Sequence, residues 1–309
     1  MLFLRSALFN VLFYAVLVCL AIVALPTFAL PPRAMLTVAQ WWAKATLVLM
    51  HVVCNIKVEF RGVEKIPAGP LVIAAKHQSF WETFVLPGFF VHPIFILKRQ
   101  LMQIPVFGQF LVKTGMIAID RKAGVKALLD MTRRAREAVR SGSQLVIFPE
   151  GTRRAPGAPP DYKTGFAQIY SSCGAQCLPV ALNSGLFWPR RTFMRYPGTL
   201  VVEFLDPLPP GLPKEEFLSR VQSAIEGATD RLVEAGQPED LRVVVRPPAR
   251  EQPLRVPVGA YEQRHQEAGA TTVHVSEIGE VEEDRDGIAR LDGGALVGAR
   301  ARRRCARRG

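Results

Sequence analysis

A chain of 309 residues, 49% hydrophobic and 21% charged, can bury an ample core as one large α/β domain or two smaller ones. Its five scattered cysteines exclude a disulfide scaffold and fit a reducing compartment. The formal net charge of +12 favours an anionic partner, which could be lipid phosphate, a phosphorylated small molecule or nucleic acid.

The first predicted element is a long apolar helix. From Ser6 to Pro32 there is no charged residue for 27 positions. A helix over residues 7–25 would be about 28 Å long, close to the hydrocarbon thickness of a bilayer. A cleaved signal peptide is the alternative, but the run is too long for a typical h-region and "TFALPPR" is a poor cleavage context. We therefore predict an uncleaved membrane anchor.

A second predicted helix covers residues 34–55. Its polar residues recur at helical spacing on one face: Thr37, Gln40, Lys44, His51 and Asn55. This pattern predicts a helix that lies in the membrane interface or packs back on a globular domain. Residues 1–55 are thus a predicted membrane-associated hairpin. Arg5 and Arg33 give no clear positive-inside bias, so the sequence leaves open whether the hairpin spans the bilayer or dips into it.

Strands and helices alternate over the predicted globular domain, residues 56–240. The predicted strands are IKVEFRGVEKIP, LVIAA, PIFILK, GMIAID, QLVIFPEG (running into a loop), CLPVALN and TLVVEFLDPLP. Predicted helices lie in SFWETFVLPGFF, in RQLMQIPVFGQFLVKT, in VKALLDMTRRAREAVR and in KEEFLSRVQSAIEGATDRLVEAG. The apolar face of the third helix is Val125, Leu128, Leu129, Thr132, Ala135 and Val139. The alternation predicts an α/β fold with a mostly parallel or mixed sheet flanked by helices.

Several chemically active side chains fall where a predicted strand ends. They are His77, Lys98, Asp120 with Arg121, and the stretch 150–153. In open α/β sheets, ligands bind outside the carboxyl ends of the strands, so these residues are expected to be neighbours. Residues 98–154 also carry twelve Lys or Arg against four Asp or Glu, which suits an anionic substrate.

His77 and Glu82 are the candidate general base and its orienting acid. An imidazole removes a proton from an alcohol efficiently when a carboxylate fixes its tautomer and stabilises the imidazolium. Residues five apart face away from each other on one continuous helix. The two side chains can meet if His77 lies in the turn before a helix and Glu82 in that helix's first turns.

The stretch "VIFPEGTRR" is the candidate phosphate loop. Gly151 permits a tight turn, and the guanidinium of Arg153 matches the geometry of a phosphomonoester. Arg121 could supply a second guanidinium. Cys173 and Cys177 lack a second Cys or His pair nearby, so no metal site is expected.

The motifs "KHQSFWET", "KRQLMQIPVFG", "GMIAIDR", "VIFPEGTRR" and "CLPVALNSG" occur in the order and spacing typical of one enzyme family. Over roughly residues 58–236 the chain resembles the glycerolipid acyltransferases, most closely those acting on 1-acyl-glycerol 3-phosphate (lysophosphatidic acid). Glu82 is a departure, because the family usually has aspartate there in a His-x4-Asp motif.

The resemblance implies that His77 is the general base, oriented by Glu82. It implies substrate-binding roles for Lys98, Arg121, Glu150, Gly151, Thr152, Arg153 and Pro179. The expected reaction transfers a fatty acyl group from acyl-CoA or acyl carrier protein to a lysophospholipid hydroxyl, at the cytoplasmic membrane with the site facing the cytoplasm. The expected partner besides these substrates is the lipid bilayer, with no cofactor, metal or nucleic acid.

Three alternatives follow from the same residues. The acceptor could be another lysolipid, such as a lyso-ornithine lipid, or glycerol 3-phosphate. A hydrolase using Ser79, Thr83 or Ser184 is disfavoured because the Gly-x-Ser-x-Gly elbow is missing. A non-catalytic basic protein that binds anionic membranes is the third alternative, and it predicts that His77 is dispensable.

The segment 241–309 is rich in Pro, Gly and charge without periodicity, and it ends in six arginines within "ARARRRCARRG". This composition predicts a disordered tail. We expect deletion of the residues after Asp240 to leave enzymatic turnover and folding intact, as measured by specific activity and thermal unfolding. Loss of either property would show that the tail belongs to the domain.

Overall fold

The computed structural model describes residues 1–120 and 124–237, together with the backbone of two short strands, 281–283 and 289–291. Those two strands, β8 (Val281–Glu283) and β9 (Ala289–Leu291), pair antiparallel with each other. They lie within the segment for which composition predicts disorder. The remainder of that segment lies outside the described residues.

Seven strands form one mixed sheet, as the sequence predicts. They are β1 (Ile56–Arg61), β2 (Leu71–Ala75), β3 (Pro93–Lys98), β4 (Ile117–Ile119), β5 (Gln144–Ile147), β6 (Cys177–Leu182) and β7 (Gly198–Phe204). Their spatial order is β1-β7-β6-β2-β5-β3-β4. Every pair is parallel except β6 with β7. Strands β2 to β6 therefore all end at the same edge of the sheet.

Eight α-helices accompany the sheet within residues 1–120 and 124–237. They are α1 (Leu2–Ala24), α2 (Pro32–Cys54), α3 (Glu82–Val85), α4 (Phe107–Lys113), α5 (Gly124–Arg140), α6 (Thr164–Cys173), α7 (Ser184–Phe187) and α8 (Lys214–Gly236). Short 3₁₀ turns cover Leu25–Ala29, Val63–Lys65, Leu86–Phe89 and Arg99–Gln103.

The sheet is covered by helices on both faces because its central strands are apolar on both. In β2 every residue is buried, and successive side chains belong to opposite cores. Ile73 and Ala75 pack in the core that includes residues of α1, α2 and α3. Val72 and Ala74 pack in the core that includes residues of α5, α6 and α8. The N-terminal hairpin is thus one of the two layers that complete the domain.

Two details differ from the sequence expectation. The sequence predicts Val125 and Leu129 on the buried face of α5, but they are 73% and 62% exposed, and Met131 is buried instead. Helix α6 was not predicted, although Phe166, Ala167, Tyr170 and Cys173 recur at helical spacing and Gly174 ends the helix with a left-handed φ of 62°. The run of Pro and Gly residues before α6 is typical of a loop, so the sequence gives no clear signal for where this helix begins.

Helix α1 docks on the domain through a narrow face. Its buried residues include Ser6, Phe9 and Phe13. The Phe13 ring lies 5.4 Å from Trp188 and 6.3 Å from Phe84, measured between ring centroids. These contacts join the hairpin to two segments that also carry residues of the candidate site.

Arg195 strengthens the same junction. Its guanidinium carbon lies 4.3 Å from the Trp188 centroid and 5.7 Å from that of Phe9, within reach of cation–π attraction. The Arg195 backbone N–H donates to Ser6 Oγ at 2.9 Å, and the guanidinium donates to Asn10 Oδ1 at 3.2 Å. Burial lowers the pKa of Arg195 to about 10.

The remaining surface of α1 is apolar and exposed. Phe3, Leu4, Leu8, Val11, Tyr14, Val18 and Ile22 are each at least half exposed. Residues 2–29 and 32–54 are long and apolar enough to cross a membrane, by length and composition. On α2 the predicted polar stripe faces outward at Thr37, Lys44 and His51, while Met35 and Met50 are fully buried.

The docking face of α1 can be tested by truncation. Phe13→Ala should lower the free energy of unfolding by about 3 kcal/mol, because a large side chain that is 4% exposed is removed from a packed aromatic cluster. Thermal unfolding in detergent micelles measures the loss. Val11→Ala, on the exposed face of the same helix, is the matched control and should change little. Equal losses in both variants would contradict the docking assignment.

Candidate active site

The loop after β2 brings His77 and Glu82 together, as their spacing predicts. Glu82 is the first residue of α3, and His77 lies in the turn that precedes this helix. His77 Nδ1 and Glu82 Oε1 are 3.0 Å apart. The contact forms because the turn, unlike a continuous helix, folds the chain back over five residues.

The Glu82 carboxylate is fully buried and hydrogen-bonded at both oxygens. Oε1 accepts the backbone N–H groups of Gln78 and Ser79, both at 2.7 Å, besides the ring N–H of His77. Oε2 accepts the hydroxyl of Ser184 at 3.0 Å. A carboxylate with these donors accepts from Nδ1, which assigns the imidazole proton to Nδ1 and leaves Nε2 as the basic nitrogen.

An aromatic ring also packs on the face of the His77 imidazole. The ring of Phe148, just after β5, stacks on His77 with centroids 4.0 Å apart and planes 18° apart. The backbone N–H of Arg154 donates to the His77 carbonyl at 2.8 Å. The His77 side chain is 14% exposed, so a small part of it reaches the surface. Phe148 therefore limits the motion of the ring, and Arg154 connects its backbone to the predicted phosphate loop.

Lys76, the residue before His77, belongs to a buried cluster of charges. Lys76 Nζ donates to Glu150 Oε1 at 3.0 Å and to both oxygens of Glu226 at 2.8 and 2.9 Å. Tyr162 donates its hydroxyl to Glu226 Oε1 at 2.9 Å. Burial raises the pKa of Glu150 and that of Tyr162. The cluster joins the ends of β2 and β5 to helix α8.

This cluster places Glu150 inside the protein. The residue is 1% exposed, and its Oε2 is buried without a partner among the described residues. Glu150 therefore supports the start of the loop through Lys76, whereas the sequence suggested a contact with substrate. Lys76 and Glu226 were not recognised from the sequence, because a buried ion pair 150 residues apart leaves no local pattern.

The loop that follows Glu150 is open to solvent in part. Gly151 has φ of 63°, a left-handed conformation that favours glycine, and its N–H donates to the Phe148 carbonyl at 2.8 Å. Thr152 is exposed and Arg153 is half-buried. In the described part of the chain, the Arg153 side chain has no acidic partner. Arg154 donates to the Pro159 carbonyl at 2.8 Å, and its Nε lies 3.9 Å from Glu150 Oε1.

The other predicted site residues lie at different distances from His77. Lys98 is exposed at the end of β3. Because β5 separates β3 from β2, the two strands lie about 10 Å apart at the usual strand spacing. Pro179 is buried inside β6, level with Ala74 of β2. Arg121 lies outside the described residues.

The geometry argues against a serine nucleophile. The Ser184 hydroxyl donates to Glu82 rather than to His77, and Ser79 Oγ accepts the backbone N–H of Trp81 at 3.2 Å. A catalytic serine would instead donate to the imidazole. Over residues 1–120 and 124–237, no group of three or more His, Cys, Asp or Glu side chains could hold a metal ion.

Residues 57–183 match the protein-family model described as Acyltransferase. A 1-acyl-sn-glycerol-3-phosphate acyltransferase of Pseudomonas aeruginosa is 41% identical over 165 residues, which are 53% of this chain and 64% of the relative. The enzyme of that name called alpha in Ovis aries is 29% identical over 171 residues, covering 53% of this chain and 58% of the relative. The matched part thus spans less than two thirds of either relative's length.

A solved structure has the same fold. The crystal structure of the 1-acyl-sn-glycerophosphate (LPA) acyltransferase PlsC from Thermotoga maritima aligns with a TM-score of 0.63 at 23% identity. The alignment covers 75% of this chain and 98% of that chain. The mixed sheet flanked by helices, with two apolar helices at the N-terminus, is therefore confirmed as the fold.

The hydrogen bond from Ser184 to Glu82 generates a prediction. Ser184→Ala should lower kcat for acyl transfer about tenfold, the scale of one hydrogen bond to a charged group, because Glu82 Oε2 loses its side-chain donor. Ser184→Thr, which keeps the hydroxyl, should retain more activity. Ser171→Ala removes an exposed hydroxyl from α6 and is the matched control.

A double-mutant cycle separates this positioning role from a general loss of packing. On a Glu82→Gln background, Ser184→Ala should cost much less than it does alone, since the oriented carboxylate is already gone. Additive losses in kcat would contradict the coupling between Ser184 and Glu82.

Proposed function

We propose that the chain, whose residues 57–183 match the acyltransferase family model, transfers a fatty acyl group to the free hydroxyl of 1-acyl-glycerol 3-phosphate, giving phosphatidic acid. The donor is an acyl thioester, acyl-CoA or acyl carrier protein. The observation that carries the proposal is the contact between His77 Nδ1 and the buried carboxylate of Glu82. This contact leaves Nε2 available as a base.

In the proposed reaction, His77 Nε2 takes the proton of the acceptor hydroxyl as its oxygen attacks the thioester carbonyl. The imidazolium that forms is stabilised by Glu82 across the Nδ1–H hydrogen bond. When the tetrahedral intermediate collapses, the carbon–sulfur bond breaks and the thiolate receives the proton from Nε2. Each proton and bond is accounted for by substrates and His77 alone, so the proposal requires no cofactor or metal.

The acceptor's phosphate is proposed to bind at the loop 150–153. Arg153 is half-buried and without an acidic partner among the described residues, so its guanidinium can bind an anion in a bidentate manner. Lys98, at the end of β3, adds positive charge to the same edge of the sheet. An uncharged acceptor would leave these cations without a counter-charge.

The exposed apolar face of α1 supports a membrane location for the proposed enzyme. A lipid acceptor partitions into the bilayer. Because α1 packs on the domain that carries the site, an α1 inserted in the membrane holds the site close to that acceptor. We propose the cytoplasmic membrane, with the site facing the cytoplasm, where acyl thioesters are available.

The proposed reaction is tested with purified protein in mixed micelles. Acyl-CoA and acyl carrier protein thioesters are each supplied with radiolabelled lysolipids of different head groups, and diacylated products are separated. We expect 1-acyl-glycerol 3-phosphate to be the preferred acceptor. His77→Ala should lower kcat by at least about 100-fold, the scale of a general base.

His51→Ala is the matched control, because His51 is exposed on α2 and lies outside the site. Near-normal turnover by His77→Ala would remove the assignment of the base. Preference for glycerol 3-phosphate or for a lysolipid without a phosphomonoester would replace the proposed acceptor while keeping the chemistry.

A further inference from the structure

The segment from Ser184 to Arg190 follows β6, outside the residues that match the acyltransferase family, yet it lies between both loops of the site. Ser184 donates to Glu82. The Gly185 N–H donates to Gln78 Oε1 at 3.0 Å. A Cβ on Gly185 would lie 2.8 Å from Pro156 and 3.0 Å from Gln78, which shows how closely the backbone approaches.

Arg190, at the end of this segment, reaches the predicted phosphate loop. Its guanidinium donates to the backbone carbonyl of Arg153. The next N–H along that loop, of Arg154, donates to the carbonyl of His77. A single peptide unit therefore separates the Arg190 guanidinium from the backbone of the candidate base.

The Arg190 guanidinium can donate more hydrogen bonds than it makes among the described residues. Arginine carries five N–H donors, and the Arg190 side chain makes one hydrogen bond among the described residues. The described residues offer it no acidic partner, and the same holds for the Arg153 side chain. The sequence has no Asp or Glu from residue 183 to residue 202. The carboxylates of the site, Glu82 and Glu150, are buried, and they bond to Ser184 and to Lys76.

Two half-buried guanidiniums without a counter-charge are costly unless an anion joins them. We propose that Arg190 is a phosphate-binding residue that acts with Arg153 on the phosphomonoester of the acceptor, as the second guanidinium of the site. The inference rests on the proposed function and adds to it a residue outside the matched domain. The sequence suggested Arg121 as the second guanidinium. Arg121 lies outside the described residues.

The chemistry of the acceptor favours this assignment over binding of the thioester donor. In 1-acyl-glycerol 3-phosphate, the free hydroxyl and the phosphate are on neighbouring carbons. The base and the phosphate site must therefore be adjacent, and one peptide unit of the loop 150–154 links the His77 backbone to the Arg190 guanidinium. The phosphates of coenzyme A are separated from the thioester by the long pantetheine arm, so they bind far from the base.

The test compares Arg190→Gln with Arg191→Gln in the full-length protein. Arg190→Gln removes the charge and the guanidinium fork while keeping a polar side chain, and Arg190→Lys tests the charge separately. Arg191 is the matched control, because it is the next residue, it is exposed, and its side chain makes no hydrogen bond or ion pair within the described residues 1–120 and 124–237. Thermal unfolding of both variants checks that the fold is retained.

For Arg190→Gln we expect the KM for 1-acyl-glycerol 3-phosphate to rise at least about tenfold, the effect of losing one charge-assisted hydrogen bond to an ionised phosphate. The KM for the acyl thioester should stay within about twofold of wild type. Arg190→Lys should fall between, since it keeps the charge but loses the bidentate geometry. An equal rise in both KM values, or an equal effect of Arg191→Gln, would overturn the proposal.

A binding measurement tests Arg190 independently of turnover. Glycerol 3-phosphate is titrated calorimetrically into wild type and into both variants in detergent micelles. We expect binding about tenfold weaker for Arg190→Gln only. Binding that is absent in wild type, or unchanged in Arg190→Gln, refutes the phosphate role even if acyl transfer occurs. Binding that is lost in Arg190→Gln while wild type prefers another acceptor supports Arg190 and rejects the proposed acceptor.

Discussion

The structure of the site depends on the buried carboxylate of Glu82. An ionised group without access to water is costly unless its lone pairs are filled by donors, and here four donors fill them. They come from the turn after β2 and from the start of α7. The carboxylate therefore links two segments about 100 residues apart and fixes the orientation of His77. The surrounding donors also set the position of this carboxylate.

A second buried electrostatic cluster supports the same region from the opposite face of the sheet. Lys76 precedes His77 and is bonded by Glu150, which opens the phosphate loop, and by Glu226 of α8. Removing a single partner from such a cluster leaves a buried charge uncompensated. Helix α8 thus belongs to the support of the site, although it lies outside the residues that match the family.

The hairpin and the site form one packed unit because the segment between β6 and β7 touches both. Its first part contacts Glu82, Gln78 and the Arg153 carbonyl. Its later part, through Trp188 and Arg195, packs on Phe9 and Phe13 of α1. An apolar helix long enough for a bilayer is thereby held at a fixed position relative to His77 and the loop 150–154.

The sequence by itself determined the seven strands, most helices, the apolar hairpin and the pairing of His77 with Glu82, because periodicity and strand ends are local properties of the chain. It misassigned Val125 and Leu129 of α5, since the tertiary context decides which part of an apolar stripe is covered. Only the tertiary structure brought Lys76 to Glu226, Ser184 to Glu82 and Arg190 to Arg153. Hydrogen bonds and ion pairs between distant segments carry no period in the sequence, so the folded chain alone decides which polar side chains are buried together.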